Sequence, residues 1–174
     1  MLELETNRLR AIALEEKLLE LSVSPPALER ALGLPESGFD IPPQLTAEMR
    51  AGVNAALRLM RERPLDWMWI TTWQIVHKEE QRIIGAIQFN GPPDHTGQVQ
   101  IGFLIQGLYQ RDGFMSELLP AVTHWVLSQP AVRVLAAQTA TDNVPAQKAL
   151  SRAGFHRAAE DAHSIWWAAA MPED

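Results

Sequence analysis

There is no cysteine among the 174 residues, which rules out a disulfide framework, a thiolate metal site and a cysteine nucleophile. Also missing is any apolar run approaching the ~18 to 20 residues needed to cross a bilayer. The opening MLELETNRLR lacks both the basic and the apolar region of a signal peptide. A cytoplasmic protein with no membrane partner is the expectation. Positive charge is scarce as well: 15 Lys and Arg stand against 21 Asp and Glu, a net charge of −6. Nucleic-acid binders need a basic face to displace counterions from phosphates, so nucleic acid is not expected as a partner. The five histidines, His77, His95, His124, His156 and His163, contain no HxxxH or HExxH pair, so no metal site is expected from ligand spacing.

What is present is 47% hydrophobic residues, enough for the core of one domain spanning residues 1–174. Leu2 to Ala13 alternates like a first strand, and Leu14 to Val23 has helical spacing. Ser24-Pro25-Pro26 and the stretch Leu34 to Pro43 break the chain on either side of a short helical piece. Gln44 to Arg63 reads as a long amphipathic helix stopped by Pro64, and Trp67 to Val76 with Arg82 to Phe89 as a β-hairpin. Gln98 to Gln106 adds a third antiparallel strand. Helix and strand then alternate: a Phe114 to Ser128 helix bent at Pro120, a Val132 to Gln138 strand, and a Val144 to Ala153 helix closed by Gly154. The final strands start at Phe155. The six tryptophans are read mainly as core.

Chemistry concentrates in Ile101 to Leu119, IGFLIQGLYQRDGFMSELL, where a strand ends in Tyr109-Gln110-Arg111-Asp112-Gly113 and a helix begins at once. The first amides of a helix have no intrahelical partner, and the helix dipole favours negative charge beside them. Gly113 lets phosphate approach the backbone without a Cβ in the way. The loop has no lysine, so it is not an ordinary P-loop for ATP. A second block runs from Asn143 through Ala146 to Gly154-Phe155. Asn143 is a good helix N-cap in its own right.

These two blocks resemble the GNAT acetyltransferases, whose acetyl-CoA loop reads Gln/Arg-x-x-Gly-x-Gly/Ala and is here Gln110-Arg111-Asp112-Gly113-Phe114-Met115. Met115 replaces the family's small last residue. The Asn143-Val144-Pro145-Ala146 helix ending in Gly154-Phe155 is similar to the family's Asn-x-x-Ala helix. The opening ETNRLR and the Ile101-Gly102-Phe103 strand look like the branch containing ribosomal-protein N-terminal (alanine) acetyltransferases. The resemblance implies an α/β (α+β) fold with a mixed, mainly antiparallel twisted sheet flanked by helices. It also implies a V-shaped splay between the fourth and fifth strands, here Gln98 to Gln106 and Val132 to Gln138. Acetyl-CoA is the implied cosubstrate. Phe103, Leu104 and Ile105 are the implied strand contacts, Gln110, Arg111, Asp112, Gly113, Phe114 and Met115 the loop contacts, and Asn143 a contact on the following helix.

The implied reaction moves an acetyl group to a primary amine, of a protein N-terminus or a small molecule, with a backbone N–H near Phe103 or Leu104 stabilising the oxyanion. Residues 24–63 would cover the acceptor side. Many relatives carry Glu before the Ile-Gly-Phe/Tyr and Tyr seven residues after the asparagine; here Gln100 and Leu150 stand there. Ser151, His95 or a water is left for proton transfer, and no catalytic base or acid is assigned. The rival is a noncatalytic acyl-CoA-binding or sensing module; a small interaction domain with no CoA affinity is a third reading. Monomer and homodimer are both open.

Overall fold

The computed structural model describes residues 1–172. The chain starts with β1 (Glu3–Glu5) and β2 (Leu9–Ala13), paired antiparallel. One strand was expected over this stretch. Thr6 closes a turn instead: its backbone N–H donates to the Leu9 carbonyl at 2.9 Å and its hydroxyl accepts from the Leu9 N–H at 3.2 Å. Three helices follow, α1 (Glu16–Leu21), α2 (Pro25–Ala31) and α3 (Pro43–Glu62). Pro25 and Pro26 occupy the first positions of α2, where a missing N–H costs nothing, so the prolines start a helix as well as end a segment.

Trp67 to Ile70, expected as the beginning of a strand, is the short helix α4. Tertiary packing overrides its β-forming composition. Trp69 and Ile70 are buried, the Thr71 hydroxyl donates to the Leu14 carbonyl at 2.6 Å, and the Trp73 indole donates to the Met68 carbonyl at 2.9 Å. β3 (Thr72–His77), β4 (Arg82–Phe89) and β5 (Gln98–Ile105) form the expected meander. Then come α5 (Phe114–Leu127), which continues through Pro120, β6 (Val134–Ala140), α6 (Val144–Arg152), β7 (His156–Glu160) and β8 (Ser164–Ala170).

The eight strands of the described residues belong to one sheet of order β1-β2-β3-β4-β5-β6-β8-β7. Every neighbouring pair is antiparallel except β5 with β6. Alternating residues of the strands, including Trp73, Ile75, Ile87, Val99, Leu135 and Trp167, pack with Leu118, Leu119 and Val122 of α5 and Leu150 of α6 into the main core. Trp69, Trp73, Trp125 and Phe89 meet there with ring centroids 5.0 to 6.4 Å apart. Other apolar residues, among them Ile12, Leu14, Leu57, Met60 and Val76, form smaller clusters with α1, α2 and α3. Among the described residues no helix is long and apolar enough to cross a membrane.

Candidate functional site

The parallel pairing of β5 with β6 is brief. Gln98 to Ile101 register with Val134 to Ala137, and beyond them Gly102 to Ile105 and Gln138 to Ala140 have no partner across this boundary. This is the expected splay, between the fifth and sixth strands because the first expected strand is two. Backbone groups alternate between the two sides of a strand. On the β4 side the Asn90 N–H donates to the Gln100 carbonyl at 3.0 Å and the Gln106 N–H to the Ile84 carbonyl at 2.8 Å. Leu104, paired with Ala86, therefore directs its backbone to β4, whereas Phe103 and Ile105 direct theirs into the splay. Of the two amides expected near an oxyanion, only that of Phe103 stands on the open edge. The Ile105 carbonyl is occupied by the Gln110 side-chain amide at 3.0 Å, so Gln110 ties the loop back to its own strand.

The loop turns sharply between β5 and α5. Arg111 has φ 71° and Gly113 φ 77°, two left-handed residues flanking Asp112. For Arg111 this conformation costs about 1 kcal/mol. The first backbone bond of α5 runs from the Glu117 N–H to the Gly113 carbonyl at 3.0 Å, and no side chain caps the helix. Among the described residues the N–H groups of 111 to 116 have no protein acceptor. A run of unpaired amides at the positive end of a 14-residue helix has the donors and the dipole that an anion requires.

Across from the loop lies α6. Asn143 accepts a hydrogen bond from the Ala146 N–H at 3.3 Å, as an N-cap should. Between loop and helix is a cleft of about 570 Å³ lined by nine of the expected contacts, Phe103, Leu104, Ile105, Gln110, Arg111, Gly113, Phe114, Met115 and Asn143. Asp112 is not part of its lining. Its carbonyl is engaged by Arg8, whose Nη1 donates to it at 3.1 Å. Met115 takes its place in the wall without closing the cleft. Sequence reasoning missed Ser116, Lys148 and Arg152 in the lining. The signal for the last two was their four-residue spacing on a helix whose first turn had already been singled out.

Arg8 was missed too, because the Thr6-Asn7-Arg8 turn was read as strand. Its Nε donates to Glu117 at 2.7 Å, its backbone N–H to the other carboxylate oxygen at 3.0 Å, and its guanidinium lies 4.3 Å from the centre of the Phe114 ring. The Thr6 hydroxyl also donates to Glu117. The β1–β2 turn thus braces the first turn of α5. Burial pushes the Glu117 carboxyl up, but the hydrogen bonds from Thr6 and Arg8 outweigh it and hold the group below the usual glutamate range. A lowered value stabilises the fold above the unfolded-state pKa and ceases to do so as pH falls through the folded-state pKa. Glu117→Gln is therefore expected to be less stable than wild type by about 1–2 kcal/mol at neutral pH. Urea unfolding across a pH series should show this gap closing in acid, below the ordinary glutamate pKa of about 4.3. A gap constant with pH would mean the brace is not electrostatic.

Among the described residues no ionisable pair suited to proton transfer lines the cleft at the splay. Gln100 occupies the position before Ile101-Gly102-Phe103, and its N–H donates to the Asn90 side chain at 2.9 Å. Leu150 is fully buried in the core. Tyr109 borders the cleft, yet its hydroxyl donates to Glu80, and this bond, with burial, raises its pKa above the ordinary value. Neither His95 nor Ser151 lines the cleft. A second hollow of about 710 Å³ lies between α1 and α3, where Arg61 bridges Glu16 and Glu20; it shares no lining residue with the cleft.

Comparison with known proteins meets this geometry from outside. A family model described as an acetyltransferase (GNAT) domain matches residues 9–156. An uncharacterized N-acetyltransferase, YjdG, of Bacillus subtilis (strain 168) is 35% identical over 98 residues, 55% of this chain and 58% of the relative's length. The matched segment thus spans little more than half of that relative. Among solved structures, a GNAT-family acetyltransferase from Bacillus anthracis superposes with a TM-score of 0.64 at 15% identity, covering 97% of this chain and 98% of its own. A ribosomal-protein alanine acetyltransferase from Vibrio fischeri gives 0.69 at 13% identity, with 98% and 97% coverage. The ribosomal-protein acetyltransferase RimL in complex with coenzyme A gives 0.67 at 19% identity, with 97% and 98% coverage. These likenesses establish a shared fold, and the family model, which covers most of the chain and both the splay and the loop, establishes that the chain belongs to the GNAT acetyltransferase family.

Proposed function

We propose that this chain is a single-domain, acetyl-CoA-dependent N-acetyltransferase that moves an acetyl group to a primary amine of a protein N-terminus or small molecule. The observation that carries the reading is the continuity of the cleft. It runs from the open edge of β5 at Phe103 to the unpaired amides of 111 to 116, so a thioester arm and a phosphate group can be held at once. The residues suit that cosubstrate: among the described residues the lining contains Arg111, Lys148 and Arg152 and no carboxylate. The names of the relatives, N-acetyltransferase and ribosomal-protein acetyltransferase, support transfer to nitrogen.

In the reaction the amine nitrogen forms a bond to the thioester carbonyl carbon, the carbon–sulfur bond breaks, the nitrogen loses a proton and the sulfur leaves as thiolate. The loop amides, with Arg111, hold the pyrophosphate. The Phe103 N–H, free on the splayed edge, donates to the oxygen on which charge develops. Holding both reactants in one cleft supplies much of the rate, because attack within a bound pair avoids the entropy of encounter. With Gln100 and Leu150 where an ionisable group would serve, the amine proton leaves through water. Gln100 and the buried Leu150 also favour a second reading, acyl-CoA binding without turnover.

Calorimetric titration with acetyl-CoA tests the site without knowledge of the acceptor. Saturable micromolar binding is the expected result, and its absence overturns both readings. Release of free thiol is then measured with a panel of peptides bearing free N-termini and of small amines. Turnover with any of them supports the transferase; binding with no thiol release across the panel supports the sensor.

A further inference from the structure

We infer that Lys148 and Arg152 form a second anion position in the cleft, which takes the monophosphate on the ribose of coenzyme A and makes the protein select the 3′-phosphorylated cofactor. The inference rests on the acetyl-CoA reading above and adds a substrate feature to it. The cleft contains two separate basic elements. One is the loop, with its unpaired amides and Arg111; the other is the face of α6 that carries Lys148 and Arg152. These two are the only charged residues of α6, they are one helical turn apart, and both line the cleft.

The ordinary account of such residues is a solvated face balanced by nearby carboxylates, and here that account fails. The protein has six more acids than bases. Even so, among the described residues no Asp or Glu lines the cleft, and none of Arg111, Lys148 and Arg152 forms an ion pair. Arg8, Arg10, Arg30, Arg61, Arg63, Lys78 and Arg157 all do. Of the eight bases without an ion pair among the described residues, five (Lys17, Arg50, Arg58, Arg82 and Arg133) lie elsewhere, Arg50 and Arg58 in a hollow that Glu20 and Glu62 also line; the other three share this cleft with the unpaired backbone donors. A ligand bearing one anionic group would use the loop alone. Coenzyme A bears two, a pyrophosphate and a ribose monophosphate, and the α6 pair answers the second.

The test compares coenzyme A with dephospho-coenzyme A, which lacks only the 3′-phosphate, by calorimetry at fixed salt. Wild type and the double variant Lys148→Ala with Arg152→Ala are both titrated, after melting curves confirm that both are folded. Wild type is expected to bind coenzyme A about tenfold more tightly than the dephospho form, as two partly exposed charge-assisted contacts allow. In the double variant the two ligands should bind alike, at close to the wild-type affinity for the dephospho form. Equal affinities in wild type, or a preference that survives the double substitution, overturns the inference and leaves the acetyl-CoA reading intact. Failure of wild type to bind either ligand removes both.

Discussion

Gly113→Asp is expected to weaken acetyl-CoA binding by about a hundredfold while leaving the chain folded. A Cβ at this position would have as its nearest neighbour the Arg8 Nη2 at 3.8 Å, an ordinary contact, so the side chain finds room. The backbone is at φ 77°, where an L-residue pays about 1 kcal/mol, and aspartate is among the residues that tolerate it best. That cost falls on folding. The cost to binding comes from the charge, placed at the mouth of the amides that would hold the pyrophosphate. A unit charge about 5 Å from a phosphate, at an effective dielectric constant near 20, opposes binding by about 3 kcal/mol, and a hundredfold in affinity corresponds to about 2.7 kcal/mol. Gly113→Ala separates the two effects, since it carries at least as much backbone strain without the charge. It should cost stability and change affinity by less than about fivefold, roughly 1 kcal/mol. Calorimetry on both variants, well below their melting temperatures, decides the matter. Equal affinities for the aspartate and alanine variants would remove the pyrophosphate from this loop.

Gly113 was legible in the sequence because its role is local: a strand, a turn and a helix in immediate succession can be read from periodicity, and only a glycine sits comfortably at the join. The same holds for the β3-β4-β5 meander and for α5, whose patterns are long. What could not be read was set by distant contacts. Thr6 to Arg8 alternate as a strand would, and only the arrival of Glu117, 109 residues beyond Arg8, explains why they turn and what Arg8 does. Trp67 to Ile70 have strand composition and form a helix because Trp69 is needed in the aromatic cluster with Phe89 and Trp125. Which of Phe103 and Leu104 offers its amide depends on the parity of the β4–β5 register, and sequence alone does not supply it. Asp112 lay inside the loop motif yet its carbonyl is turned to Arg8; Lys148 and Arg152 lay inside the second block, unassigned as contacts, and line the cleft.

The β4–β5 register leads to the second large effect. Gly85→Ala is expected to destabilise the fold by about 3 kcal/mol, a figure typical of a substitution with nowhere to go in a packed interior. A Cβ on Gly85 would lie 2.2 Å from the backbone oxygen of Leu104 and 3.2 Å from the Ile105 Cα. These are backbone atoms, so a rotamer change cannot relieve the clash and one strand must move off the other. β4 has little slack to give, because its pairing with β3 already shifts register between Ile75 and Val76, beside the position where Gly85 pairs with Ile75. The strand that yields is β5, whose far side at Gly102 to Ile105 has no neighbouring strand to hold it. The melting temperature should therefore fall by about 6–12 °C for a chain of this length. Unlike the Gly113 variants, this one should lose stability and acetyl-CoA affinity together, since the displaced segment carries the Phe103 amide and leads into the loop. A variant that melts lower but binds as wild type would show that β5 regains its edge without the close β4 contact; one unchanged in both would show that the strands part here at little cost. Only the joint loss ties the absence of a side chain at Gly85 to the geometry of the cleft.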